Sequence, residues 1–183
     1  MKKYSLIESD RSNEQQKLYQ IKALKTFTTS NGTKVKEGDL GGFISGEHNL
    51  SHEGNCWVAN SAEVWDQAGV SENAYLGGFS SLSDQVQLYG NAKVIRGEIS
   101  GNVKIYDNAK VAVKGSIKDE VEIFGNTVVG GKETWIYGSV KIFDNAQIGG
   151  NSFGKIRISG NAQIYGNARI EAKCDINGNV EIQ

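Results

Sequence analysis

One phrase recurs five times between residues 88 and 168: Leu88-Tyr89-Gly90-Asn91-Ala92, Ile105-Tyr106-Asp107-Asn108-Ala109, Ile123-Phe124-Gly125-Asn126-Thr127, Ile142-Phe143-Asp144-Asn145-Ala146 and Ile164-Tyr165-Gly166-Asn167-Ala168. Successive copies start 17, 18, 19 and 22 residues apart. A unit this short cannot bury its own apolar face. Repetition at such a period therefore signals a stack in which each copy covers its neighbour.

A finer beat of six runs through the same stretch. Aliphatic residues stand at Val58, Val64, Val70, Leu76, Leu82, Leu88 and Val94, and again from Ile99 through Ile105, Val111, Ile117 and Ile123 to Val129. The series resumes at Ile136, Ile142 and Ile148 and closes with Ile158, Ile164, Ile170, Ile176 and Ile182. Two residues before most of them stands a second small or branched residue, among them Ala62, Ala74, Val86, Ala92, Val103, Ala109, Val121 and Val140. Residues i and i−2 share a strand face, so each hexad reads as a short strand with two inward side chains, and three hexads make one triangular coil. The apolar spacing of three and four that a helix needs is missing.

Turn chemistry agrees with this all-β reading. Asn91, Asn108, Asn126, Asn145 and Asn167 follow Gly or Asp where the chain must bend, and these residue types tolerate left-handed backbone conformation. The chain has no proline, as a ladder in which every coil donates amide hydrogens requires. The pattern resembles the hexapeptide-repeat proteins that fold as a single-stranded left-handed parallel β-helix. Left-handedness is what that resemblance implies. The chain departs from the family hexad at its second position, which holds Tyr or Phe in one hexad of three.

Phased on Val70, Leu88, Ile105, Ile123, Ile142 and Ile164, the repeats predict six to seven coils over residues 46–183. Residues 1–45 do not keep the beat. Tyr4-Ser5-Leu6-Ile7 and Leu18-Tyr19-Gln20-Ile21-Lys22-Ala23-Leu24 read as strands of a hairpin around a polar loop, and a differently patterned terminal segment is expected to cap the exposed end of a solenoid. The junction from Gly38 to Val58, together with residues 18–25, resembles the opening of phage- and prophage-encoded β-helix proteins, some described as putative transferases. That resemblance implies a viral or prophage setting inside a bacterial host.

Composition bounds the function. The net charge of −1 gives neither a nucleic-acid footprint nor an acidic mimic of DNA. Lys93, Lys110 and Arg169 line up as a basic row, yet Val128 and Gln147 interrupt it. Nothing at the N-terminus reads as a signal peptide and no apolar run is long enough to span a bilayer, so a cytoplasmic location is expected. Cys56 and Cys174 fall on inward positions far apart along the stack, too distant to pair, and read as structural thiols.

Two features carry functional expectations. The distance from Val94 to Ile99 is five residues, from Val111 to Ile117 six, from Val129 to Ile136 seven and from Ile148 to Ile158 ten. Insertions thus collect on one side, where solenoids meet partners. Lys132, Trp135, Asn151, Phe153 and Lys155 are the expected binding residues. The aromatics Tyr89, Tyr106, Phe124, Phe143 and Tyr165 are expected to stack as a ladder, and the outward Lys104, Glu122 and Lys141 alternate in sign as cross-strand pairing favours.

Many hexapeptide-repeat proteins are trimeric acyltransferases with a histidine base, and others bind a metal through three histidines. Only His48 and His52 are present, with Glu47 or Glu53 as orienting carboxylate. Two histidines cannot build a three-histidine metal site, and no cofactor is expected. The expected function is therefore non-catalytic contact with a host or viral protein, for example as an anti-CRISPR-type inhibitor of a defence system. An acyltransferase-like enzyme is the first alternative. Self-assembly is the second, as a trimer or as a dimer through the last coil at Val180 and Ile182, where the sequence stops after a regular hexad and leaves an edge open.

Overall fold

The computed structural model describes residues 2–59, 61–149 and 154–183. It is a parallel β-solenoid of about eight turns. One wall of the prism is a single sheet in which Gly69–Val70, Gln87–Leu88, Lys104–Ile105, Glu122–Ile123, Lys141–Ile142, Gln163–Ile164 and Glu181–Ile182 pair in parallel in that order. This is the closed wall. The other two walls belong to one larger sheet that bends around the remaining corner. Val58, Leu76, Val94, Val111, Val129, Ile148 and Ile170 superpose on one of them, and Ile44, Val64, Leu82, Ile99, Ile117, Ile136, Ile158 and Ile176 on the other.

The predicted inward residues form one continuous core. Leu88, Ile105, Ile123 and Ile142 are fully buried, as are Ala92, Ala109, Val103 and Val121 two residues from an aliphatic. Burying each aliphatic is worth roughly 1.5–3 kcal/mol, and no other contact repeats as often. The coil count exceeds the predicted six to seven because the stack begins before Val58. Ile44 and Leu50 already occupy inward positions, and Leu50 bridges to Val70 of the closed wall. The short 3-10 turn Glu47–Asn49 replaces a strand there and hides the hexad beat.

The N-terminal hairpin is present, with strands Tyr4–Ser12 and Lys17–Ala23 paired antiparallel. Lys17–Ala23 then pairs antiparallel with Leu40–Ile44, which pairs in parallel with Glu63–Val64 of the solenoid. The hairpin thus occupies the free edge of the bent sheet, where unpaired backbone would recruit other strands. Arg11 fastens it from outside, with its guanidinium 2.5 Å from the Glu63 carboxylate and 3.9 Å above the Phe43 ring.

Two corners are regular and one is not. Between the closed wall and the next, Tyr89, Tyr106, Phe124, Phe143 and Tyr165 stack with ring centroids 4.9–5.1 Å apart, the spacing of adjacent strands. Beside them the amide of each asparagine donates to the next one's oxygen from Asn73 through Asn91, Asn108 and Asn126 to Asn145. The left-handed residue is the one before the asparagine, with φ of 69° at Gly90, 56° at Asp107, 75° at Gly125 and 60° at Asp144. Where that residue is Asp, its carboxylate accepts the amide hydrogen of the glycine one turn on, as Asp107 does from Gly125 and Asp144 from Gly166. Asp84 and Asp119 do the same at the second regular corner, toward Gly101 and Gly138.

The third corner, opposite the closed wall, carries the length variation. The chain crosses it as one continuous strand in Tyr75–Leu82, Lys93–Ile99 and Lys110–Ile117, then breaks into Val128–Gly131 and Glu133–Ile136, and then into Gln147–Ile148 and Lys155–Ile158.

Core and ladder separate by substitution. Ile123→Ala is expected to cost about 2–5 kcal/mol of stability as a cavity, and Asn126→Ala about 1 kcal/mol for two exposed amide bonds. Urea unfolding followed by circular dichroism measures both, and an Asn126→Ala loss equal to that of Ile123→Ala would contradict a core-driven stack.

Candidate interaction face

Outward side chains around the third corner make a mixed basic and apolar surface. Phe79 and Ile95 are 77% and 51% exposed. Phe79 is turned outward after Gly78, whose φ is +62°, and lies in register with Arg96 on the next turn. Together with Glu98, Val113 and Lys114 these two line a hollow of about 260 Å³. Three turns further along, Glu133 pairs with Lys155 and Trp135 with Arg157, and the Lys155 ammonium sits 6.0 Å from the centre of the Trp135 ring. A second hollow of about 410 Å³ is lined by Lys155, Arg157, Lys173, Cys174 and Asp175.

Of the expected binding residues, the structure brings Trp135 and Lys155 into contact. Lys132 is exposed in the connection between Val128–Gly131 and Glu133–Ile136. Asn151 and Phe153 lie outside the described residues. Sequence reading missed Phe79, Ile95, Arg96, Arg157 and Lys173. A signal for Ile95 was available: it directly follows the inward Val94, and neighbours on a strand face opposite ways.

The expected basic row is real in register and interrupted as read, running Lys93, Lys110, Val128, Gln147, Arg169. Lys104, Glu122 and Lys141 also share a row, with Lys141 3.8 Å from Glu122. Val180 and Ile182 are half-buried in the last turn, and Glu181–Ile182 pairs on one side with Gln163–Ile164.

The histidines sit at the cap junction and serve the fold. His48 Nε2 lies 2.6 Å from the carbonyl oxygen of Asp66, so this nitrogen carries the proton and donates. The backbone N–H of Lys3 donates to His52 Nδ1 at 3.2 Å, and the His52 ring stacks on Tyr4 with centroids 4.3 Å apart. Tyr4 Oη in turn donates to the carbonyl of Leu50 at 2.7 Å. Of the expected orienting carboxylates, Glu47 pairs with Lys2 at 2.5 Å, and Glu53 is tied to Lys3 Nζ through its backbone carbonyl at 3.4 Å. A backbone amide, rather than a carboxylate, orients His52. Among the described residues no three His, Cys, Asp or Glu side chains come together as metal ligands. Cys174 is half-buried, and burial and then Asp175 push its thiol up from the ordinary value.

No family model matches the chain. It is 25% identical over 226 aligned positions to YdcK of Escherichia coli (strain K12), described as an uncharacterized acetyltransferase; the match takes in 94% of this chain and 67% of YdcK. The solenoid with its asparagine ladder is consistent with the hexapeptide-repeat β-helix proteins. No helix among the described residues is long and apolar enough to cross a membrane.

The cap junction responds to pH through His52. Burial holds its pKa below the ordinary 6.5, so the unfolded chain binds the extra proton first. The stabilisation is complete above the ordinary value and is lost as pH falls through it toward the folded pKa. Urea midpoints taken between about pH 5 and 8 are expected to drop on the acid side. His52→Asn, which keeps an acceptor near the Lys3 amide, is expected to flatten that drop, and an unchanged slope would contradict this assignment.

Proposed function

We propose that the chain is a rigid scaffold that acts by contact with another protein through the third corner. The observation that carries this reading is the coincidence of three properties at one place: the variation in repeat length, the exposed Phe79 and Ile95, and the Trp135–Lys155–Arg157–Lys173 cluster. Aromatic and arginine side chains standing beside apolar ones are the composition of binding hot spots. The two regular corners carry ladders that stabilise the rod itself. In the phage or prophage setting that the junction residues suggest, the partner is a protein of the bacterial host or of its defence systems, and occupying that protein's surface inhibits it.

The test is capture from bacterial lysate with a tagged chain, read as the ratio between variants. Phe79→Ala combined with Arg157→Glu and Lys173→Glu is expected to reduce capture of a given partner at least about tenfold, as loss of hot-spot residues does. Lys104→Glu with Lys141→Glu on the closed wall is expected to leave it unchanged. Equal loss from both sets, or from neither, sinks the assignment of this face.

A second reading, acetyl transfer, draws support from the similarity to YdcK. His48 is the side chain suited to act as base in it, because its Nε2 proton is held by the Asp66 carbonyl and Nδ1 keeps the lone pair. Under this reading the chain consumes an acetyl donor, and His48→Ala lowers kcat by about 10²-fold or more. A rate indistinguishable between His48→Ala and the parent chain removes it.

A further inference from the structure

The cap junction buries a nucleophile pair that the interaction face does not use. Lys3 and Cys56 are both fully buried, and Lys3 Nζ stands 3.0 Å from Cys56 Sγ. The other polar contact of the amine is the Glu53 carbonyl at 3.4 Å, with the Phe27 ring 5.8 Å away. The sulfur faces the carbonyls of Ser51 at 3.4 Å and Glu53 at 3.6 Å. Among the described residues no carboxylate forms an ion pair with the lysine, although a buried ammonium ordinarily demands one. A packing role alone would be filled by a Met or Leu at position 3 at lower cost. What the lysine adds is an amine in van der Waals contact with a thiol.

We propose that Lys3 and Cys56 form an oxidative cross-link, a sulfenamide between Nζ and Sγ, when the chain meets hydrogen peroxide. In the first step the amine takes the thiol proton, and the thiolate attacks one peroxide oxygen. The O–O bond breaks, the departing hydroxide collects that proton from the ammonium as water, and Cys56 becomes a sulfenic acid. In the second step the amine lone pair attacks sulfur, the S–O bond breaks, and hydroxide leaves with an amine proton as a second water. Sulfur is oxidised by two electrons and one peroxide is reduced. Sulfenic acids condense with nitrogen in this way when one is held against them.

Burial favours the reactive form of the amine, since it is the main influence on Lys3 and lowers its pKa. Burial likewise raises that of Cys56, and the lysine opposes the rise. The pair lies beneath the exposed stretch Glu53-Gly54-Asn55, so a local opening of that loop admits a molecule as small as peroxide. The bond would fix the first residues of the cap to the first turn of the solenoid.

The experiment uses the full chain with Cys174→Ser, leaving one thiol, treated with hydrogen peroxide and read by intact mass and peptide mapping. The expected product is lighter by about 2 Da, joins the peptides of Lys3 and Cys56, and reverts with a thiol reductant. Lys3→Met, which keeps the volume of the side chain and removes the amine, is expected to go instead to the sulfinic acid, heavier by about 32 Da. A Cys56 that stays a free thiol while the urea-unfolded chain oxidises, a sulfinic acid in the parent chain, or a cross-link that persists in Lys3→Met each overturns the proposal. Circular dichroism of Lys3→Met establishes that the variant is folded, and Lys3→Arg, with no condensing amine, replaces it in the same comparison should Lys3→Met unfold.

Discussion

The structure rests on stacking in register. Because the inward aliphatics of each turn must sit over those of the turn below, every other residue is copied along the axis at the strand spacing of about 4.8 Å. Any side chain repeated at one position then meets itself. Tyr89, Tyr106, Phe124, Phe143 and Tyr165 become a pile of nearly parallel rings, and Asn91, Asn108, Asn126 and Asn145 become a chain of amides. The same constraint explains the exchange of Asp and Gly at the left-handed position. At the asparagine corner the Asp107 carboxylate takes the amide hydrogen of Gly125, where a side chain has no room: a Cβ there would lie 2.8 Å from the Asp144 carbonyl oxygen.

Ladders fix the geometry of two corners, and this leaves the third as the place where the chain can change. An extra residue at the asparagine corner would break amide bonds to the turns above and below. An extra residue between Val129 and Ile136 interrupts a strand and leaves the walls on either side paired. Even there, successive turns approach so closely that a Cβ on Gly115 would fall 1.9 Å from the Thr134 carbonyl oxygen. Variation is therefore absorbed by bulging outward, at the same corner whose outer surface carries Phe79, Ile95 and Trp135.

Much of this was legible in the sequence, and what was not has physical causes. The hexad beat reveals the inward residues because burial selects the same chemistry at every turn. The beat fails at the start, where a 3-10 turn carries Asn49 into the interior and its amide donates to the carbonyls of Asp66 and Ala68, filling the place of a strand without its periodicity. The rows Lys93–Lys110–Arg169 and Lys104–Glu122–Lys141 were readable because register is the period itself. Phe79, Arg157 and Lys173 were not, because the variable corner has no fixed period and a count along the chain loses its place there. The partners of His52 and Cys56 were also hidden: Lys3 meets both from about fifty residues away, through a cap that follows no repeat.

The charge of the interaction face follows from the same division of labour. Overall the chain is close to neutral, which argues against any strongly charged surface when composition is read alone. Yet the regular corners draw carboxylates to themselves, because Asp66, Asp84, Asp107, Asp119 and Asp144 each hold an amide hydrogen of the following turn. The cations that balance them are free of that duty and can stand elsewhere. Arg96, Lys114, Lys155, Arg157 and Lys173 stand at the third corner beside Glu98, Glu133, Glu171 and Asp175, and Asp175 reaches Arg157 at 3.9 Å. Basic side chains are thus gathered at one corner of a molecule whose total charge gives no hint of them. The separation arises from the backbone geometry of the turns, which has a use for Asp and none for Lys.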